Sequence, residues 1–97
     1  MQAYVVLTSL TEQGLQHVKQ IPGEIEAAKK LAPRYGVLID AYFMLTGGDY
    51  DFLAQVRAPD DKAITEFVLA AGMAGYSKPA IMQSFTADDI KDIFSKV

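Results

Sequence analysis

Two strand-like stretches, the nearly all-apolar Val37–Leu45 and the alternating Phe52–Ala58, flank Thr46-Gly47-Gly48-Asp49, and this pairing constrains the fold more than any other feature of the chain. Period-two alternation predicts strands, and the glycines supply the positive φ angles that a tight antiparallel connection needs. The middle of the chain is therefore a hairpin. Before it, Tyr4-Val5-Val6-Leu7-Thr8 has the β-branched and aromatic composition of a strand, and Thr11 stands where an N-cap opens a helix. Leu15, Val18, Ile21, Ile25, Ala28 and Leu31 then recur every three or four positions, as one helical side requires. Pro22-Gly23 interrupts this pattern. Proline removes a helical donor and clashes with the turn before it, which predicts a kink, or two helices in sequence with the second beginning near Pro22. Pro33 and Gly36 end the helical run.

After the hairpin the same order returns. Pro59-Asp60-Asp61 caps a helix with Ile64, Phe67, Val68 and Ala71 on one side, and Gly72 and Gly75 loosen its end. Ala80–Phe85 reads as a fourth strand. Thr86-Ala87-Asp88-Asp89 is a capping box with Asp in the place of Glu, opening a last helix that carries Ile90, Ile93, Phe94 and Val97. Two right-handed β-α-β units that share the hairpin close into a four-stranded antiparallel sheet with both long helices on one face. The expected architecture is a single α+β domain over residues 1–97, ferredoxin-like βαββαβ with an extra C-terminal helix.

Composition narrows the function classes. With 97 residues, 51% hydrophobic and 22% charged, the chain has enough apolar surface for one core and is not a disordered segment. A net charge of -3 gives no basic field, so nucleic acid is not an expected partner. There is no cysteine, which excludes disulfides and thiolate chemistry, and the single histidine, His17, cannot form an imidazole-rich zinc site. Asp40, Asp49 and Asp51 lack calcium-loop spacing, and Gly47-Gly48 lacks the lysine and following helix of a phosphate loop. No metal and no cofactor are expected. Met1-Gln2-Ala3-Tyr4 does not open a signal sequence, and the longest apolar stretch, Phe67–Tyr76, is too short to span a bilayer. The expectation is a cytoplasmic protein without a membrane partner.

If both helices shield one side of the sheet, the other side decides what the domain meets. Alternation places Val37, Ile39, Ala41, Phe43, Phe52, Ala54 and Val56 beneath the helices. Leu38, Asp40, Tyr42, Met44, Leu53, Gln55 and Arg57 then fall on the uncovered side, joined by Tyr4, Val6 and Thr8. The fourth strand admits either parity, and Gln83 beside Ile81 and Phe85 suits the same mixed surface. Four strands about 4.8 Å apart and roughly 20 Å long give a face on the order of 400 Å². Its apolar composition with a few polar groups predicts a homodimer, or a higher homo-oligomer, formed through this face. Tyr4, Asp40, Tyr42, Gln55, Arg57 and Gln83 would line a chamber between two such sheets, able to hold a small polar or planar molecule. In the plainer alternative Asp40 and Arg57 only neutralise each other. His17 lies off the apolar stripe and is expected at the surface. In an enzyme, Asp40 or His17 would accept a proton, Arg57 would stabilise negative charge and Tyr42 would orient the substrate.

The stretch from Thr46 to Asp60, with Gly48-x-Tyr50-Asp51 at its turn, resembles the GYD-domain family. The opening Ala3-Tyr4-Val5-Val6-Leu7, the helix start Thr11-Glu12-Gln13-Gly14 and the ending Ser84-Phe85-Thr86 extend the likeness over nearly the whole chain. The resemblance implies a ferredoxin-like, dimeric α/β-barrel fold. The turn and third strand are also similar to the effector-binding domain of the feast/famine regulators, which implies oligomerisation and amino-acid-sized ligands near subunit interfaces. This chain has no helix-turn-helix domain. The expected function is that of a small non-catalytic dimeric domain that binds a small metabolite or a protein partner at the sheet-to-sheet interface; dimeric α/β-barrel relatives include cofactor-independent monooxygenases and small lactone isomerases, so an enzyme of that type is the alternative. In Tyr50 and Asp51 the turn chemistry points to packing and backbone hydrogen bonds before ligand contact.

Overall fold

The computed structural model describes residues 1–72 and 75–97. Its elements are β1 (Gln2–Leu10), α1 (Glu12–Gln16), α2 (Ile21–Leu31), β2 (Leu38–Met44), β3 (Phe52–Ala58), α3 (Asp61–Ala71), β4 (Ser77–Gln83) and α4 (Ala87–Ser95). The strands form one antiparallel sheet in the order β2-β3-β1-β4. This is the expected α+β, ferredoxin-like arrangement with a C-terminal helix added. No helix among the described residues is long and apolar enough to cross a membrane.

Local signals place the helices. The Thr11 side chain accepts from Gly14 N at 3.0 Å and opens α1. Pro22 divides the first helical region in two: a 3-10 turn at Val18–Gln20 precedes α2, whose first turn tolerates the missing donor. A second 3-10 turn, Ala32–Tyr35, ends at Gly36 in the left-handed conformation, φ 70°. The fourth strand starts three residues earlier than Ala80 and ends at Gln83, two residues before Phe85, so its centre is Pro79-Ala80-Ile81.

The core lies between the sheet and the pair α2–α3. Tyr4, Val6, Ala54, Val56, Ala58, Val37, Ala32, Ile64, Phe67 and Val68 form one buried cluster. Directly opposed residues of an antiparallel pair share a face, so the register assigns sides throughout. Tyr4, Val6 and Thr8 oppose Val56, Ala54 and Phe52, and they also oppose Gln83, Ile81 and Pro79. All of these belong to the helix-covered side, a correction to the expectation for Tyr4, Val6, Thr8 and Gln83. Tyr4 is only 2% exposed because its ring completes the core. Its hydroxyl donates to Asp61 Oδ1 at 2.5 Å, at the start of α3. Desolvation first, then the hydrogen bond and the charges of Asp61 and Asp60, push the Tyr4 phenol up to about 12.

A second correction concerns β2. Ile39 opposes Val56, but Ala41 opposes Gln55, so Asp40 is an extra residue in the ladder. This bulge reverses the parity after it. Tyr42 and Met44 turn to the helix side opposite Ala54 and Phe52, whereas Ala41 and Phe43 turn to the uncovered side opposite Gln55 and Leu53.

Candidate functional site

The uncovered side carries Ala3, Val5 and Leu7 on β1, Leu53, Gln55 and Arg57 on β3, Leu38, Ala41 and Phe43 on β2, and Ala80 and Met82 on β4. Phe43, 52% exposed, Leu38 and Met82 stand out from it. Of the six residues expected around a shared chamber, the fold brings only Asp40, Gln55 and Arg57 together. Tyr4, Tyr42 and Gln83 lie behind the sheet. The bulge that removes Tyr42 also aims Asp40 at Arg57, with Nε to Oδ2 and Nη2 to Oδ1 both 2.8 Å. This forked pairing is the strong geometry for arginine and carboxylate, and the two charges are satisfied within one chain.

The Arg57 hydrogen bonds hold the Asp40 carboxyl below its ordinary value of 3.8, against a smaller opposing desolvation, and Asp40 in turn raises Arg57. A depressed carboxyl favours the folded chain above the ordinary carboxylate range, and that contribution is lost as pH falls through the folded midpoint. Arg57→Ala is therefore expected to raise the Asp40 midpoint, followed by its carboxyl carbon shift in an acid titration. An unchanged midpoint would show that the pair is not formed in solution.

On the covered side the sheet and helices leave a cavity of about 120 Å³, partly open to solvent. Val6, Ala54 and Val56 of the sheet, Ile21, Ile25 and Ala28 of the first helical region, and Phe67, Val68 and Ala71 of α3 supply apolar walls. Tyr42 and Phe52 add an aromatic side, their rings 5.7 Å apart and inclined at 36°. Thr8, Glu24, Tyr76 and Ser77 contribute the polar groups. Burial raises the Tyr42 phenol above its ordinary value, so its hydroxyl stays protonated and able to donate. Among the described residues it makes no hydrogen bond within the chain. The cavity is not legible in the sequence, since its walls come from six elements whose apolar residues each read as ordinary core.

The turn motif has a structural task. Gly48 adopts φ 83°, a conformation that suits glycine. Asp51 ties the end of β1 to the exit of β2: its Oδ2 accepts from Leu10 N at 2.7 Å and its N donates to Thr8 O at 2.8 Å, while its carbonyl accepts from Leu45 N, just past β2, at 2.7 Å. Tyr50 is exposed. The motif thus fixes Thr8 and Phe52, two residues that line the cavity. His17, half-buried, has Nδ1 2.7 Å from Gln13 O and stacks on Tyr76, centroids 5.4 Å apart at 10°. It belongs to the α1–α2 junction, while Asp40 and Arg57 belong to the uncovered sheet. The three candidate catalytic groups are not assembled into one centre.

Comparison with known proteins agrees with this architecture. The model of the GYD domain matches residues 4–94. The crystal structure of MupZ from Pseudomonas fluorescens is similar in fold, with a TM-score of 0.50 at 12% identity, over 99% of this chain and 82% of that one. No curated protein matches the chain.

Proposed function

The chain belongs to the GYD-domain family, and from that premise we propose that it is a self-pairing domain that binds a small, mainly apolar molecule between its sheet and its helices. The cavity lined by Val6, Ala54, Val68 and Tyr42 is the observation on which this rests. A cavity of about 150 Å³ accepts benzene, so 120 Å³ suits a ligand near the size of one ring. The Tyr42 hydroxyl and Glu24 favour a ligand carrying one hydrogen-bonding substituent, because a few placed polar groups orient a molecule held by apolar walls. The uncovered side, with Leu7, Leu53, Phe43 and Met82, serves self-association. The two sides of the sheet thereby do different work, and the sheet-to-sheet seam does not need to hold the ligand.

Phenol is a suitable probe. Titration is expected to give a Kd of about 1 mM, in keeping with the efficiency of very small ligands, with amide shifts at Val6, Ala54 and Val68. Ala71→Leu, which fills the cavity from α3, should abolish these shifts, while Arg57→Ala on the opposite side should leave them intact. Shifts clustered at Gln55 and Arg57 would return the ligand to the seam, and no saturable shift at all would remove the cavity reading.

A further inference from the structure

Helix α4 is amphipathic, yet its apolar side is left exposed to solvent. Phe94 is 70% exposed, Phe85, Ile90 and Ile93 are also exposed, and none of its residues is buried. No other described element packs along it. The helix is nonetheless well started, since the Thr86 side chain accepts from Asp89 N at 3.2 Å and Asp89 Oδ2 accepts from Thr86 N at 3.0 Å. A cap contributes about 1 kcal/mol, but helices shorter than about 12–15 residues are marginal alone in water. Nine residues need a surface to lie on.

We propose that α4 is an exchanged arm that docks on a second copy of this chain, in the shallow groove at the β2 edge formed by Lys29, Pro33, Leu38 and Ile39. This rests on the self-pairing of the uncovered faces. Area supports it: the flat sheet offers on the order of 400 Å² before side-chain relief, a small footprint beside the roughly 800 Å² of accessible surface per partner that stable interfaces bury. Two arms in two grooves supply the remainder.

Topology gives the reach. β4 and β2 are the two edges of the sheet. A two-fold axis parallel to the strands, which lays one uncovered face on another, sets β4 of one copy over β2 of the other and keeps positions along the strands level. Gln83, Tyr4, Val56 and Ile39 form one row across the sheet. The end of β4 therefore arrives level with Ile39 of the second copy, and α4 begins four residues later.

The chain has no cysteine, so single thiols report contacts directly. Phe94→Cys mixed with Leu38→Cys is expected to give the mixed disulfide as the main product on oxidation. Ile93→Asp with Phe94→Asp should raise the dimer Kd at least tenfold by sedimentation, with the unfolding midpoint of a diluted, monomeric sample unchanged. A dimer that forms no mixed disulfide, or an unchanged Kd in the double variant, overturns the arm and leaves the sheet pairing standing. A wild-type chain that sediments as a monomer throughout overturns both.

Discussion

Replacing Leu7 with glutamate is expected to turn the proposed dimer into a monomer. Leu7 is central on the uncovered side, between Leu53 of β3 and Ala80 of β4, and Leu53 in turn opposes Phe43. None of these neighbours offers a cation or a hydrogen-bond donor from its side chain, so the introduced carboxylate is desolvated without compensation. An unpaired buried charge costs about 3–5 kcal/mol, and every 1.4 kcal/mol is about tenfold in Kd. The dimer constant should therefore rise roughly a hundredfold to several thousandfold, read by sedimentation equilibrium. Because Leu7 is not part of the buried core cluster, the monomer should keep its helix content and its phenol shifts. A Leu7→Glu chain that stays dimeric with wild-type affinity would contradict the assignment of this side. Tyr42→Glu is a poor test of pairing, since Tyr42 points beneath the helices.

Ile64→Ala should be the most damaging single truncation in the core. Ile64 is 1% exposed, stands on the inward side of α3, and belongs to the cluster with Tyr4, Val37 and Val56. Removing its outer carbons loses transfer free energy and leaves a void that a sheet-and-helix sandwich fills only in part, at a cost of about 2–5 kcal/mol. Domains of this size are typically stable by about 5–15 kcal/mol, so a large fraction of the total is at stake. Urea unfolding at fixed protein concentration should show the loss as a lower midpoint at unchanged slope. Leu69→Ala, exposed on the outer side of the same helix, is expected within about 0.5 kcal/mol of wild type. Equal effects from the two would mean that α3 is rotated relative to the sheet.

What was legible in the sequence was whatever depends on neighbours a few residues apart. Thr11 and Thr86 cap helices because an N-cap is a three-residue interaction, and both do so here. Pro22 divides the first helical region because its ring conflicts with the turn immediately before it. In β3 the alternation is strict, with Phe52, Ala54, Val56 and Ala58 buried, so its two sides were assigned correctly. Residue side failed where it depended on another strand. The Asp40 bulge exists only as a mismatch of count between β2 and β3, and nothing in Ile39-Asp40-Ala41 alone announces it.

Tyr4 misled for a different reason. On β1 both alternating sets are apolar, and a phenol looks suited to a wet surface. Its hydroxyl instead reaches Asp61, 57 residues away, which supplies the acceptor that makes burial of the ring tolerable. The cavity was illegible for the same cause on a larger scale: Val6, Ile25, Tyr42, Ala54 and Val68 come from five separate elements, and a void between them is a property of their packing.

Isotope-filtered nuclear Overhauser spectra on a mixture of labelled and unlabelled chains test the central claim most directly. The division of the sheet into a pairing side and a ligand side predicts intermolecular contacts among Leu7, Phe43, Leu53 and Met82, with none from Val6, Ala54 or Val56. Contacts between copies at Val6 or Val56, or a sample with none at Leu7 and Phe43, would contradict it.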